Sequence, residues 1–151
     1  MKKKLSLNVK YSPEYSMLGI SSPLIDFKLV WNMNIVLDIG LKKIDDFSYS
    51  TDNSRKNEFF SIYYIQKESI ETDYFIIANK SDDAILIPEY RQFDYFFLLK
   101  CCDSKRQITK IINKIKDIEN VQTVFLIDLD KIKNINNLFT ELELHLLESG
   151  C

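Results

Sequence analysis

Glycine, proline, cysteine and histidine are all scarce in this chain of 151 residues, which has three, three, three and one of them. So few glycines leave no Gly-rich phosphate-binding loop and no flexible linker. A single histidine and an odd number of cysteines make a poor metal-ligand set and a poor disulfide framework. We find no nucleophile–base pair and no cofactor motif, so we predict no catalytic, cofactor-binding or metal-binding residues. The sequence therefore favours a protein that is not an enzyme.

Long apolar runs are also missing. The longest nearly apolar stretch, Leu24 to Ile39, contains two aspartates and a lysine and cannot cross a membrane. The basic start of the chain is not followed by the apolar core of a signal peptide. A formal net charge of −2 gives no general attraction to nucleic acid or anionic lipid. We therefore expect a cytoplasmic protein that binds neither membranes nor nucleic acid.

The abundant residues are those of a packed core, with 46% hydrophobic and 13% aromatic residues. A chain of this length fits one domain, and we predict a single α+β domain over residues 1–151 with a mainly antiparallel sheet of about five strands. Alternating or continuous apolar runs predict strands. They fall at Leu5–Tyr11, Phe47–Tyr49, Phe59–Gln66, Asp73–Asn79, Ile85–Ile87, Phe93–Lys100 and Val121–Leu129. The run Tyr95–Leu99 is apolar in both directions, which is typical of a central strand covered on both faces.

Two main helices are predicted. Ser22 and Pro23 form a helix start, and this helix would run from Leu24 to about Ile39, with Gly40 as its left-handed terminal residue. Its apolar residues cover nearly every direction, so it lies either beneath other elements or in a subunit contact through Trp31.

The second main helix, Ser104 to Ile118, has isoleucines at spacings of three and four, and Ser104 and Gln107 have capping-box spacing. Residues 137–151 predict a short terminal helix and tail, with helical spacing from Leu138 to Leu147. The strand–helix–strand order from Phe93 to Leu129 resembles half of a ferredoxin-like unit, which is the narrower topology for the C-terminal half.

The strongest candidate site surrounds Pro88, which cannot donate to a central strand ladder. Glu89, Arg91, Asp94 and Tyr95 bring charge and a phenol into this apolar region. Either carboxylate could act as a base and the arginine could hold an anion. The alternative is that these residues cap turn amides and pair with one another where the chain changes direction.

Two other features have simpler interpretations. His145 is the only histidine and is flanked by leucines. A catalytic Cys–His pair would need Cys101, Cys102 or Cys151 as its thiol, and a partly buried or surface histidine is the simpler interpretation. The basic side of the second helix (Lys105, Arg106, Lys110, Lys114) could meet phosphates, but a solvated helix face is the more ordinary interpretation.

The sequence Ile87-Pro88-Glu89, followed after three residues by Phe93-Asp94-Tyr95, resembles the signature of the IPExxxVDY family of small bacterial proteins. Phe93 stands where that signature has valine. Leu18-Gly19-Ile20, the helix with Asp26-Phe27-Lys28-Leu29 and Trp31, and Ala78-Asn79-Lys80 are similar too, so the resemblance extends over most of the chain. It implies one soluble domain and assigns no activity to any residue.

These observations lead to two hypotheses. The first is an interaction module that forms a homodimer or binds a protein partner, with Trp31 in the interface. The second is a small-ligand-binding domain of regulatory type, with its pocket near Glu89, Arg91 and Tyr95.

Overall fold

The computed structural model describes residues 15–50, 57–67, 72–100 and 104–150, which form an α+β fold. The strands are β1 (Tyr15–Ser21), β2 (Lys42–Lys43), β3 (Phe47–Tyr49), β4 (Glu58–Phe60), β5 (Ile62–Lys67), β6 (Thr72–Ala78), β7 (Tyr95–Lys100) and β8 (Thr123–Leu126). The helices are α1 (Asp26–Leu37), α2 (Lys105–Lys116) and α3 (Ile135–Glu148). Six antiparallel strands form the main sheet in the order β2-β5-β6-β7-β1-β8, while β3 and β4 pair separately. The predicted α+β class with a mainly antiparallel sheet is confirmed.

The strand order of the main sheet has the connectivity of a ferredoxin-like fold. Strand β7 lies between β6 and β1 and is antiparallel to both, while β1 lies between β7 and β8. The unit β7-α2-β8 therefore joins two parallel strands that are separated by β1. Strands β1 and β6 are likewise parallel and separated by β7, but the chain inserts β2 to β5 between α1 and β6. The sequence predicted this arrangement for the C-terminal half, and β1, α1 and β6 supply the other half.

The main sheet is covered on both faces. Helices α1 and α2 pack on one face, where Met33 and Ile115 are fully buried against the sheet. Helix α3 and the β3-β4 pair pack on the other face, where Phe60 and Phe139 are fully buried. Strand β7 contributes alternate residues to the two layers. Phe96 and Leu98 belong to the α3 side, and Phe97 and Leu99 to the α1–α2 side. This confirms that Tyr95–Leu99 is a central strand.

Helix α1 begins later than the sequence predicts. Ser22 does not cap it, because its hydroxyl donates to the Asn120 carbonyl at 2.8 Å and accepts the Leu24 amide at 3.2 Å. Ile25, in an extended backbone conformation, is the residue at the N-cap position. The predicted serine cap was therefore wrong, since tertiary contacts use Ser22 to tie the end of β1 to the loop before β8.

The end of α1 also differs from the prediction. Asp38 adopts the left-handed conformation with φ of 54°, and its amide donates to the Asn34 carbonyl. Gly40, two residues further on, does not have a positive φ. The predicted left-handed glycine was therefore wrong.

Two of the predicted strands differ from the structure in more than their end residues. The run Phe59–Gln66 is divided at Ser61 into β4 and β5, which belong to different sheets. The Ser61 hydroxyl donates to the Asp26 carboxylate at 2.5 Å, and its carbonyl accepts from Ala78. The segment Ile85–Ile87 is not a strand, since it makes one isolated bridge between Ile85 and Lys80 before a 3₁₀ turn.

The remaining predictions concern the cap of α2, the first strand, the cysteines and membrane-spanning helices. Ser104 does cap α2, accepting the Gln107 amide at 3.3 Å. The predicted first strand, Leu5–Tyr11, and all three cysteines lie outside the described residues. No helix within the described ranges is both long enough and apolar enough to span a membrane.

Candidate functional site

The segment Ile87–Tyr95, which we call the Pro88 corner, is the second part of the connection from β6 to β7 and ends at the first residue of β7. Pro88 opens a 3₁₀ turn, Pro88–Tyr90, a position that needs no amide donor. The Tyr90 amide donates to the Ile87 carbonyl at 3.0 Å and closes the turn. The Phe93 amide then donates to the Tyr90 carbonyl at 3.1 Å. The proline therefore sits where its missing N–H costs nothing.

Asn79 holds this corner together from inside the protein. Its side chain is fully buried and donates to the carbonyls of Tyr90 at 3.1 Å and Phe93 at 2.9 Å. Its side-chain oxygen accepts the Ile87 amide at 2.9 Å. Three hydrogen bonds from one buried amide thus satisfy backbone groups at both ends of the turn, as buried polar groups require.

Asp94 ties the corner to the end of β1. One carboxylate oxygen accepts the Ser22 amide at 2.9 Å, and the other forms an ion pair with Lys80 at 3.0 Å. The Asp94 amide donates to the Ile20 carbonyl at 2.8 Å, and its carbonyl accepts the Asn79 amide at 2.9 Å. Asp94 therefore joins the ends of β1, β6 and β7, and both of its carboxylate oxygens are engaged.

Phe93 packs directly over Gly19 in β1. Its ring is buried, stacks at 6.1 Å on Phe125 and contacts the edge of Phe96 at 6.3 Å. Any Cβ at position 19 would overlap the ring. The chain segments around Gly19, Asn79 and Pro88 therefore meet at one place in the fold.

Glu89 and Arg91 point to different environments. Glu89 accepts the Lys133 amide at 2.9 Å and lines a cavity of about 550 Å³ between the corner and the start of α3. Arg91 is exposed, and its Nε lies 3.5 Å from the Pro88 carbonyl, at the long limit of a hydrogen bond. No ion pair joins Arg91 to Glu89 or Asp94 among the described residues.

Tyr95 belongs to the opposite face of the sheet. It packs with the α1–α2 layer, and its hydroxyl donates to the Leu24 carbonyl at 2.7 Å. Burial, and then the negative charge of Asp26, raises the pKa of the Tyr95 phenol to about 12. The phenol is thus a neutral donor that anchors the chain before α1.

The four residues proposed from sequence therefore do not converge on one cavity. Asp94 and Tyr95 hold chain ends in place, Glu89 holds the approach to α3, and Arg91 faces solvent. Sequence reasoning missed Asn79, whose role depends on contacts 8 to 14 residues away that no local pattern predicts. The corner is better explained as a structural junction than as a reaction centre.

Trp31 lies on the outer face of α1 and not in the core. It is 66% exposed, and it is flanked one turn away on each side by Phe27 at 56% and Ile35 at 59%. We call Phe27, Trp31 and Ile35 the apolar stripe of α1. Spacing of four residues places the three side chains in one row along the helix. The sequence did not distinguish this outer row from the inner row of Leu29, Val30 and Met33, because both rows are apolar.

The possible metal ligands and His145 are the remaining candidate groups. No group of three or more His, Cys, Asp or Glu residues there is placed to hold a metal ion. His145 contacts the Asp45 carbonyl at 2.7 Å through Nε2 and meets the Phe47 ring edge-on. This histidine therefore fastens α3 to the loop before β3.

The sequence matches no protein-family model and no curated protein.

Proposed function

We propose that this protein is a non-enzymatic interaction module that forms a homodimer through the apolar stripe of α1. The observation that carries the proposal is the exposure of three large apolar side chains in one row of a helix that is otherwise well packed. Contiguous exposed apolar surface of this kind marks interaction sites in soluble proteins. Ile25, also more than half exposed, extends the surface beyond the start of the helix.

A second copy of the chain fits this surface well. If two α1 helices pack antiparallel about a twofold axis at Trp31, Phe27 of each copy meets Ile35 of the other. Isologous dimers require this kind of self-complementarity. Between residues 27 and 37 the only charged residue is Lys28, so the helix lacks the ring of charges that would oppose self-association.

The single tryptophan provides a direct test, because Trp31 is the only one in the chain. We expect its fluorescence to shift to shorter wavelength as protein concentration rises, in parallel with dimer mass in sedimentation velocity. Trp31→Glu should be monomeric, or should aggregate, since it introduces a charge at the centre of the contact. Arg91→Ala should leave the assembly unchanged.

Phe59→Glu is the matched control, because Phe59 is a comparably exposed aromatic residue (61%) on β4. It should remain dimeric. A wild-type protein that is monomeric at all concentrations, or a Trp31→Glu variant that still dimerises, would overturn the proposal. Equal loss of dimer in both glutamate variants would point to general apolar association rather than a defined contact.

The cavity beside Glu89 favours a second candidate function, small-ligand binding. Its volume of about 550 Å³ is that of a small-molecule site, and its lining combines Glu89 and Lys131 with the apolar side chains of Ile132 and Leu138. A metabolite that binds there would raise the melting temperature of the wild type but not of Glu89→Ala. A broad metabolite screen that shifts neither protein would count against this function.

A further inference from the structure

A second cavity lies on the opposite face of the sheet, between the end of α1, the strands β5 and β6, and α2. Its volume is about 450 Å³. Four of its lining residues are cationic: Lys67, Arg106, Lys110 and Lys114. No acidic residue lines it within the described part of the chain. We call this space the basic cavity.

Three of the four cations lie along one side of the cavity, on α2. Arg106, Lys110 and Lys114 follow one another at intervals of four residues, so they form a row along α2 that is about 12 Å long. None of the three takes part in an ion pair among the described residues, where the ion pairs involve other lysines. Like charges four residues apart destabilise a helix slightly, and an anion held between them would reverse that effect.

Lys67 closes the cavity from the side of β5. Its ammonium donates to the Asp38 carbonyl at the end of α1, at 3.0 Å. This contact keeps the lysine at the cavity wall and leaves its remaining donors available. The cations thus approach the cavity from two elements of the fold, α2 and β5.

Part of the remaining wall is apolar, while Ser104 and Gln107 add polar groups at the start of α2. Leu37 is the last residue of α1, Ile39 follows it, and Ile111 lines the cavity from α2. The ring of Tyr74, stacked on Phe97, forms part of the lining from β6. A ligand that used the whole cavity would therefore carry negative charge at one side and an organic group at the other.

We propose that the basic cavity binds a small phosphorylated organic molecule with at least two negative charges. The row of cations is too long for one phosphate to contact both ends, and guanidinium and ammonium donors both suit phosphate oxygens. The cavity has the volume of a small-molecule site. The chain as a whole is acidic, so the positive charge here is a local feature and not part of a general basic surface. This inference is independent of dimer formation by α1.

The experiment is titration calorimetry at low ionic strength with three probes: orthophosphate, pyrophosphate and ATP. The test variant is Arg106→Ala with Lys110→Ala. The control is Lys105→Ala with Lys116→Ala, which removes the same charge from exposed positions of α2 that do not line the cavity. All four positions are exposed, and circular dichroism verifies that both variants are folded.

We expect ATP to bind more tightly than pyrophosphate, and both more tightly than orthophosphate. The cavity variant should bind ATP about tenfold more weakly or worse, because each lost charged hydrogen bond weakens binding. The control variant should stay within about twofold of the wild type, since distant exposed charges contribute little.

Three results would overturn the proposal. The first is that the wild type binds none of the probes. The second is that both variants lose affinity equally, which would indicate diffuse charge attraction. The third is that a single-stranded oligonucleotide displaces ATP and that its binding is weakened as much by the Lys105→Ala, Lys116→Ala variant as by the cavity variant. That result would make α2 a nucleic-acid surface.

Discussion

A Cβ atom at Gly19 would lie 2.6 Å from Cδ2 of Phe93, well inside the contact distance of two carbon atoms. Gly19 is in β1, paired with Phe96 of β7 on one side and Phe125 of β8 on the other. Its backbone does not have a positive φ, so space and not conformation requires glycine here. The Phe93 ring fills the place that a side chain on β1 would occupy.

We therefore predict that Gly19→Ala destabilises the protein by about 1–3 kcal/mol through overpacking. In a Phe93→Val background, where the ring is absent, the same change should cost much less. Urea unfolding of the four proteins in this double-mutant cycle measures the coupling. Gly40→Ala is the control, because no atom lies within 4 Å of a Cβ at that position. An equal cost of Gly19→Ala in both backgrounds would contradict the packing explanation.

Asn79 gives the second prediction. Asn79→Ala removes three side-chain hydrogen bonds and leaves the Ile87 amide without its acceptor inside the protein. Leaving a buried backbone group unsatisfied costs about 1–3 kcal/mol, so the variant should lose at least about 2 kcal/mol in urea unfolding. Asn32→Ala should change stability far less, since Asn32 makes a single exposed bond within α1. Similar stabilities for the two variants would argue against Asn79 as the support of the Pro88 corner.

Much of the fold could be predicted from local patterns. The run of β7 that is apolar on both faces and the isoleucine stripe of α2 are strong predictors of structure, because residue periodicity alone decides which side chains face a core. The strand–helix–strand unit from β7 to β8 followed from those two elements. The position of β1 between β7 and β8 depends on pairing with residues 75 to 108 positions away, and no local pattern carries that information.

The candidate site was harder to predict for the same reason. Glu89, Arg91, Asp94 and Tyr95 are close in sequence, yet Glu89 and Tyr95 lie on opposite faces of the sheet. Trp31 was ambiguous because α1 is apolar on nearly every side, and only the packed structure distinguishes its inner row from its outer row. The cations of the basic cavity were visible on α2, but the cavity itself needs the end of α1 and Lys67.

Asp94 and Lys80 give the third prediction, which separates the part-buried hydrogen bond from the Ser22 amide to Asp94, here called the tether, from the ion pair between Asp94 and Lys80. Lys80→Ala should cost less than about 1 kcal/mol, because the pair is partly exposed to solvent, with side-chain exposures of 48% and 33%. Asp94→Ala should cost about 1.5–3 kcal/mol, because the Ser22 amide loses a charged acceptor. Asp94→Asn should recover much of that loss, since the amide oxygen can still accept from Ser22. If Lys80→Ala and Asp94→Ala were equally destabilising, the ion pair and not the tether would dominate.

The phenol of Tyr95 predicts a particular loss of stability in alkali. Its pKa is raised from 10.0 to about 12 in the folded protein, chiefly by burial and then by Asp26. A raised pKa means that the folded state binds the proton more tightly than the unfolded state does. The resulting stability is fully present below pH 10 and is lost as pH rises toward 12.

Tyr95→Phe tests this dependence, because it removes the titrating group and keeps the ring. Near neutral pH it should be less stable than the wild type by about 1 kcal/mol, through loss of the hydrogen bond to Leu24. That difference should shrink as pH rises from 10 to about 12, because in this range the phenol of the wild type ionises in the unfolded state and not in the folded state, which favours unfolding. Burial also raises the pKa of Tyr63, so the double variant with Tyr63→Phe should flatten the profile further. Urea midpoints measured across this range give the comparison, and parallel curves for wild type and Tyr95→Phe would show that Tyr95 is not the titrating group.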